Sequence, residues 1–95
     1  MLNKKVIIRG DRSGVHYGTL VKKEGTEVTL EKSRRLWYWN GAASLSQLAK
    51  EGVTKPSSCK FTVTVDEIVI LDAIEIIPCT EAAIANIEGV SEWKM

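Results

Sequence analysis

Short segments rich in β-branched and aromatic residues, separated by turns, fill the first 39 residues and constrain the fold more than any other feature. Their spacing is typical of hairpins in an antiparallel sheet. Glycines in the connections Gly10–Gly14 and Glu24–Gly25 favour tight turns. We predict strands over residues 4–9, 15–23, 27–30 and 34–39. This half of the chain therefore predicts a curled antiparallel sheet or a small β-barrel.

Two later segments have the end signals and apolar spacing of short helices. Ser44 and Gln47 fit a capping box, in which each side chain satisfies the free backbone N–H of the other residue. Gly52 fits the C-terminal stop of this first helix. Thr80 is predicted to cap a second helix, which Gly89 ends.

Further strands are predicted between the two helices, over residues 60–65 and 68–77. Acidic residues at Asp66–Glu67 and at Asp72 predict breaks in these strands. A chain of 95 residues has room for one domain, residues 1–95. The combined pattern predicts an α+β fold, a curled antiparallel sheet or small β-barrel with two short helices.

The charge balance and the cysteine content argue against several classes of protein. The 13 Lys and Arg residues against 12 Asp and Glu give a net charge of +1, unlike the basic balance of a general nucleic-acid binder. One histidine and two cysteines, Cys59 and Cys79, are too few for a zinc site, so we expect no metal and two reduced thiols. The run Val6–Ile8 is too short for a signal peptide core or a membrane span. We therefore expect a cytosolic protein without a membrane partner.

The segment Arg34–Trp39 is the first candidate for a binding surface. Because alternate side chains of a strand share a face, Arg35, Trp37 and Trp39 are predicted to lie on one side. A guanidinium beside two indoles is suited to a flat ring that carries phosphate. The same residue types are also common in protein interfaces and in cores, and the sequence leaves these alternatives open.

The loop between the first two predicted strands, Arg9–Gly14, is the second candidate. Its glycines expose backbone N–H groups to an anion, and Arg9 and Arg12 add positive charge. The loop joins two strands rather than a strand and a helix, so it differs from the familiar phosphate-binding loops, and an ordinary hairpin loop is favoured. The single histidine, His16, is predicted to be a partly exposed strand residue without a catalytic partner.

Several segments together resemble a family of small phage and prophage proteins. The segments are Gly14–Leu20, Val28–Leu30, Arg34–Trp39, Leu45–Gly52 and Glu75–Ala83. The resemblance covers nearly the whole chain, and it is most specific in the arginine–tryptophan segment and in the run Glu75–Thr80. It implies a phage setting, a host bacterial cytosol and a small stand-alone domain. Because the family has no assigned activity, no functional residue carries over.

No catalytic motif occurs in the sequence, so we expect a non-enzymatic binding protein without a cofactor. The leading hypothesis is a homo-oligomer that sequesters an anionic, base-containing small molecule, a nucleotide signal of antiviral defence. Oligomers are expected because so short a chain has a modest core for three tryptophans. A virion or host-partner interaction module is the alternative, followed by a weak nucleic-acid binder. The candidate ligand-binding residues are Arg9, Arg12, Arg35, Trp37 and Trp39.

Overall fold

The computed structural model describes all 95 residues as six strands, two α-helices and one turn of 3₁₀ helix at Pro56–Ser58. The strands are β1 (Lys5–Gly10), β2 (Val15–Glu24), β3 (Glu27–Tyr38), β4 (Lys60–Phe61), β5 (Val65–Ile70) and β6 (Ala73–Pro78). The helices are α1 (Leu45–Glu51) and α2 (Glu81–Gly89). Every strand pairing is antiparallel, which confirms the predicted α+β fold with a curled sheet. Neither helix is long and apolar enough to cross a bilayer.

The curl of the sheet follows from its strand order, β5–β3–β2–β1–β6, with β4 beside β5 along the edge of β3. Four strand spacings span about 19 Å in a flat sheet. Only Leu71 and Asp72 connect the two edge strands β5 and β6, and three residue steps reach at most about 11 Å. The edges therefore have to approach each other, and Ala73 N donates to Thr26 O at 3.0 Å where they do.

Curling gives the sheet two buried faces, which explains the unbroken apolar run Val6–Ile8 in β1. Ile7 faces the helices, whereas its neighbours on both sides face the interior of the curl. The interior cluster consists of Val6, Ile8, Leu20, Val28, Leu30, Ile70 and Ala73. The helix-side cluster consists of Ile7, Tyr17, Leu36, Leu48, Ala49, Val53, Phe61, Ala83, Ile87 and Val90.

A β-bulge at Lys32 joins two segments that were predicted as separate strands, and that prediction was wrong. Lys32 has a φ of 50°, and the register between β2 and β3 shifts where Gly18 lies opposite. Before the bulge an even-numbered residue such as Leu30 faces the interior; after it an even-numbered residue such as Leu36 faces the helices. The bulge thereby places Arg35 on the interior face, at one end of the curled sheet.

The helix caps form largely as predicted. Ser44 Oγ accepts a hydrogen bond from Gln47 N at 3.1 Å, and Thr80 Oγ1 accepts one from Ala83 N at 3.1 Å. The return bond of the capping box differs, because Gln47 Oε1 accepts from Ala43 N at 2.7 Å and not from the N–H of the cap residue. The local sequence therefore indicates both helix starts correctly.

The predictions for the third quarter of the chain were partly wrong. The strand predicted over 60–65 ends at Phe61, and β5 continues through Asp66–Glu67, where a break was expected. Both acidic side chains are exposed on an edge strand, where charge is tolerated and discourages aggregation. The break predicted at Asp72 is confirmed, since this residue lies between β5 and β6.

Candidate ligand-binding groove

A groove of about 520 Å³ runs between the β1–β2 loop and the end of β3. Antiparallel pairing of β2 with β3, in which His16 lies opposite Arg35, brings the loop that precedes β2 beside the arginine–tryptophan segment. The principal lining residues are Arg12, Val15, Arg35, Leu36, Trp37 and Trp39. Four of the five predicted ligand residues therefore lie in one depression.

The groove carries positive charge without an internal partner. The guanidinium groups of Arg12 and Arg35 are exposed and form no hydrogen bond or ion pair within the chain. The nearby carboxylate of Asp72 accepts from Ser13 Oγ at 2.6 Å, Arg12 N at 2.7 Å and Ser13 N at 2.9 Å. The bonds from the Ser13 hydroxyl and from these backbone groups lower the pKa of Asp72 to about 2. Asp72 thus fixes the loop while both guanidinium groups stay available.

Trp37 and Trp39 were predicted to share one face of the strand, but the structure gives them different surroundings. Trp39 follows the end of β3 and packs, partly buried, against the helix-side core, so strand alternation no longer applies to it. Trp37 is 58% exposed, but its ring stacks on Trp93 with a centroid distance of 5.1 Å. The ammonium group of Lys60 lies 5.4 Å from both ring centroids. One face of Trp37 is therefore occupied by the C-terminal segment, which sequence reasoning missed.

Arg9, predicted as a ligand residue together with Arg12, does not line the groove. Strand β1 extends through Gly10, so Arg9 is a strand residue that pairs with Val15 on one side and Glu75 on the other. Its side chain is exposed outside the site. Proximity in sequence was misleading here, because Arg9 lies within β1 and the loop itself begins only at Asp11.

His16 is 1% exposed, so the prediction of a partly exposed histidine was wrong. Its Nε2 lies 3.3 Å from Ser13 Oγ, and because that hydroxyl donates to Asp72, Nε2 has to carry the hydrogen of this bond. Burial, and second the charge of Arg35, lower the pKa of His16. A histidine that donates to the serine is not a general base for that serine. The three side chains therefore form a structural chain and not a catalytic triad.

In the comparison with known families, residues 3–87 match the family described as "Domain of unknown function (DUF6948)". The chain belongs to this family. No curated protein matches the sequence, and no solved structure matches the fold. Membership of DUF6948 assigns no activity, so the groove has to be judged on its own chemistry. Trp93, which covers one face of Trp37, lies outside the matched residues.

Arg34 has a different role from its neighbour in this DUF6948 chain. It is 4% exposed on the helix side and donates only to backbone carbonyl oxygens. The acceptors are Thr62 O (3.1 Å), Ile87 O (3.0 Å), Val90 O (2.8 Å), Phe61 O (3.1 Å) and Ser91 O (3.5 Å). Two of these carbonyls, those of Ile87 and Val90, lie at the C-terminal end of α2, which a cation stabilises. The side chain therefore joins β3, β4 and α2 and is not available to a ligand.

A separate polar depression, on the helix side of the sheet, is less suited to an anion. Glu88 accepts from Tyr17 Oη at 2.6 Å and from Lys5 Nζ at 2.7 Å. Although burial opposes it, these bonds lower the pKa of Glu88, and burial and Glu88 together raise that of Tyr17. The cations that line this depression, which include Lys5 and Arg34, already have partners. The groove with free guanidinium groups is therefore the better candidate.

The buried histidine predicts a pH dependence of stability. Because the pKa of His16 is lower in the folded protein than its ordinary 6.5, the unfolded chain takes up the proton first as the pH falls. Stability should be complete above pH 6.5 and should decrease as the pH falls from there towards the folded pKa. Urea unfolding from about pH 7.5 to 5 should show this loss, and His16→Gln should flatten it, since His16 is the only histidine. Equal slopes for both proteins would contradict the assignment.

Proposed function

We propose that this protein is a non-enzymatic binding protein for a small anionic ligand that carries a planar base. One observation supports this most directly: two unpaired guanidinium groups, of Arg12 and Arg35, line the same groove as Trp37 and Trp39. Neither guanidinium group has a carboxylate bonded to it, so both are free to bind a phosphate. The groove would thus hold the phosphate, while the indoles hold the base.

The dimensions and chemistry of the groove agree with such a ligand. Its volume of about 520 Å³ is within the range of small-molecule sites. Guanidinium groups bind phosphate oxygens in a two-pronged geometry, and a tryptophan face stacks on any base. Val15 and Leu36 also line the groove and are apolar. Binding without turnover is supported by the donor role of His16, which therefore does not act as a base for Ser13.

The resemblance to phage proteins supports a more specific role. A small phage protein that binds a nucleotide without converting it can act by sequestration, removing a signal of antiviral defence from the host cytosol. Such a protein works in stoichiometric amounts, so it needs high affinity and slow release. A homo-oligomer suits this role, because neighbouring subunits can close over an open groove.

A protein interface is the second candidate function, and a specific observation favours it. Trp37 and Trp93 are 58% and 42% exposed, stack on each other and lie beside Lys60. Exposed tryptophans in one cluster are typical of binding hot spots between proteins. This cluster, at the rim of the groove, would serve a virion or host partner instead of a nucleotide.

A nucleotide panel tests the first proposal. We expect a linear or cyclic nucleotide, at 100 times its dissociation constant, to stabilise the protein by about 2.7 kcal/mol. That corresponds to a rise in Tm of at least about 10 °C for a domain of this size. Arg35→Gln should weaken binding by about 1.5–3 kcal/mol, the usual value of a charge-assisted hydrogen bond, measured by calorimetry.

Arg9→Gln is the matched control, because Arg9 is also an exposed strand arginine but lies outside the groove. It should bind nucleotide as the unmodified protein does. Equal losses in both variants would indicate general charge attraction, as in a weak nucleic-acid binder. If no nucleotide binds and Trp93→Ala changes the sedimentation mass or the capture of a partner, the interface proposal replaces the first.

A further inference from the structure

We infer that the ligand has two planar groups joined through phosphate, as in a dinucleotide, and that it spans two grooves that meet at Arg12 and Arg35. This inference rests on the proposed function and names its ligand class. The decisive observation is that a second depression, of about 440 Å³, shares Arg12, Ser13 and Arg35 with the first. The two arginines thus form a ridge with one depression on either side.

The second depression is built from different elements. Its far wall is the end of β5 and the connection to β6, residues Ile68–Asp72. Val69 and Leu71 are 47% and 68% exposed there and give this wall an apolar surface. An apolar shelf next to a pair of cations suits a ring on a phosphate linker, because the ring covers the shelf while the linker remains at the charges.

His16 lines the second depression but offers no polar contact to a ligand there. Its Nδ1 is the one buried side-chain nitrogen or oxygen in the chain that lacks a hydrogen bond, and it is shielded from the surface. The apolar shelf, and not this nitrogen, is the feature that favours a second base over a second phosphate.

The site has room for two groups. Each depression is large enough for one nucleoside, and a mononucleotide anchored at the ridge would leave one of the two depressions exposed. A ligand with two bases would cover Trp37 and Trp39 on one side and Leu71 on the other. The two halves bind as one molecule, so the second half adds affinity without a second loss of translational freedom.

Calorimetry with cyclic di-AMP, cyclic di-GMP, AMP and GMP tests this inference. We expect one of the dinucleotides to bind at least 100-fold more tightly than its mononucleotide. Leu71→Glu, which places a carboxylate on the shelf, should weaken dinucleotide binding at least tenfold and leave mononucleotide binding unchanged. Val69→Glu should act in the same direction and provides a second variant if the first is unstable. Arg35→Gln should weaken both kinds of ligand.

Ile74→Glu is the matched control, because Ile74 is also exposed (58%) and lies just after the connection between β5 and β6, but outside both depressions. It should leave all affinities unchanged. Equal affinity for mono- and dinucleotides, with no effect of either shelf variant, would overturn the two-groove inference while the proposed function stands. If neither class binds at millimolar concentration, both are overturned.

Discussion

Replacing Arg34 by methionine is expected to lower the free energy of unfolding by about 3–5 kcal/mol. The substitution keeps most of the apolar stem but removes hydrogen bonds to five backbone carbonyls, which hold α2 and β4 on β3. The carbonyls of Ile87 and Val90 belong to buried residues, so water cannot readily replace the hydrogen bonds that they lose. The loss is a large part of the 5–15 kcal/mol that typically stabilises a domain. Urea unfolding measures it directly.

The neighbouring arginine provides the control for this experiment. Arg35→Met removes the same charge from the next residue of the same strand, yet Arg35 is exposed and forms no side-chain hydrogen bond. Its effect on stability should stay within about 0.5 kcal/mol. The effects on ligand binding should be reversed: Arg35→Met should weaken binding, and Arg34→Met should not. Equal destabilisation by both substitutions would contradict the distinction between a structural and a ligand-binding arginine.

Features with a local signal could be predicted from the sequence. The caps at Ser44 and Thr80 act over three residues, and a window of that length contains the whole interaction. The hairpin loop after β1 is likewise a local matter of glycines between two β-rich runs. Alternation also placed Arg34 and Arg35 on opposite faces correctly, because that rule needs only the two adjacent residues.

Features that depend on distant pairing could not be predicted. The bulge at Lys32 belongs to the register between β3 and β2, where Gly18 lies opposite, and this pairing joins residues that are distant in sequence. Likewise, alternation assigns the residues of a strand to two faces, but it does not indicate which of these faces the helices cover. His16 illustrates the limit for the site, since its network ends at Asp72, whose bond to Ser13 spans 59 residues of sequence.

Replacing Phe61 by alanine is expected to lower the free energy of unfolding by about 3–5 kcal/mol, as for other fully buried phenylalanines. Phe61 is 0% exposed, pairs with Leu36 and belongs to the helix-side core. A cavity at this point lies between the sheet and the C-terminal segment, which bonds to Phe61 O through Trp93 N at 2.8 Å. Tm should fall by at least about 12 °C. Val63→Ala, two residues later and 39% exposed, should change stability by less than about 0.5 kcal/mol.

Phe61 and Arg34 should also be coupled, because the guanidinium carbon lies 5.5 Å from the ring centroid in a place that water does not reach. A desolvated cation–π contact contributes about 2 kcal/mol. The double variant Arg34→Met, Phe61→Ala should therefore lose less stability than the sum of the single variants, by about 1–2 kcal/mol, since each single change already removes that contact. Arg35→Met combined with Phe61→Ala should be additive. Additivity in the first pair would show that Arg34 stabilises the fold through its carbonyl partners alone, with the ring serving only to fill space.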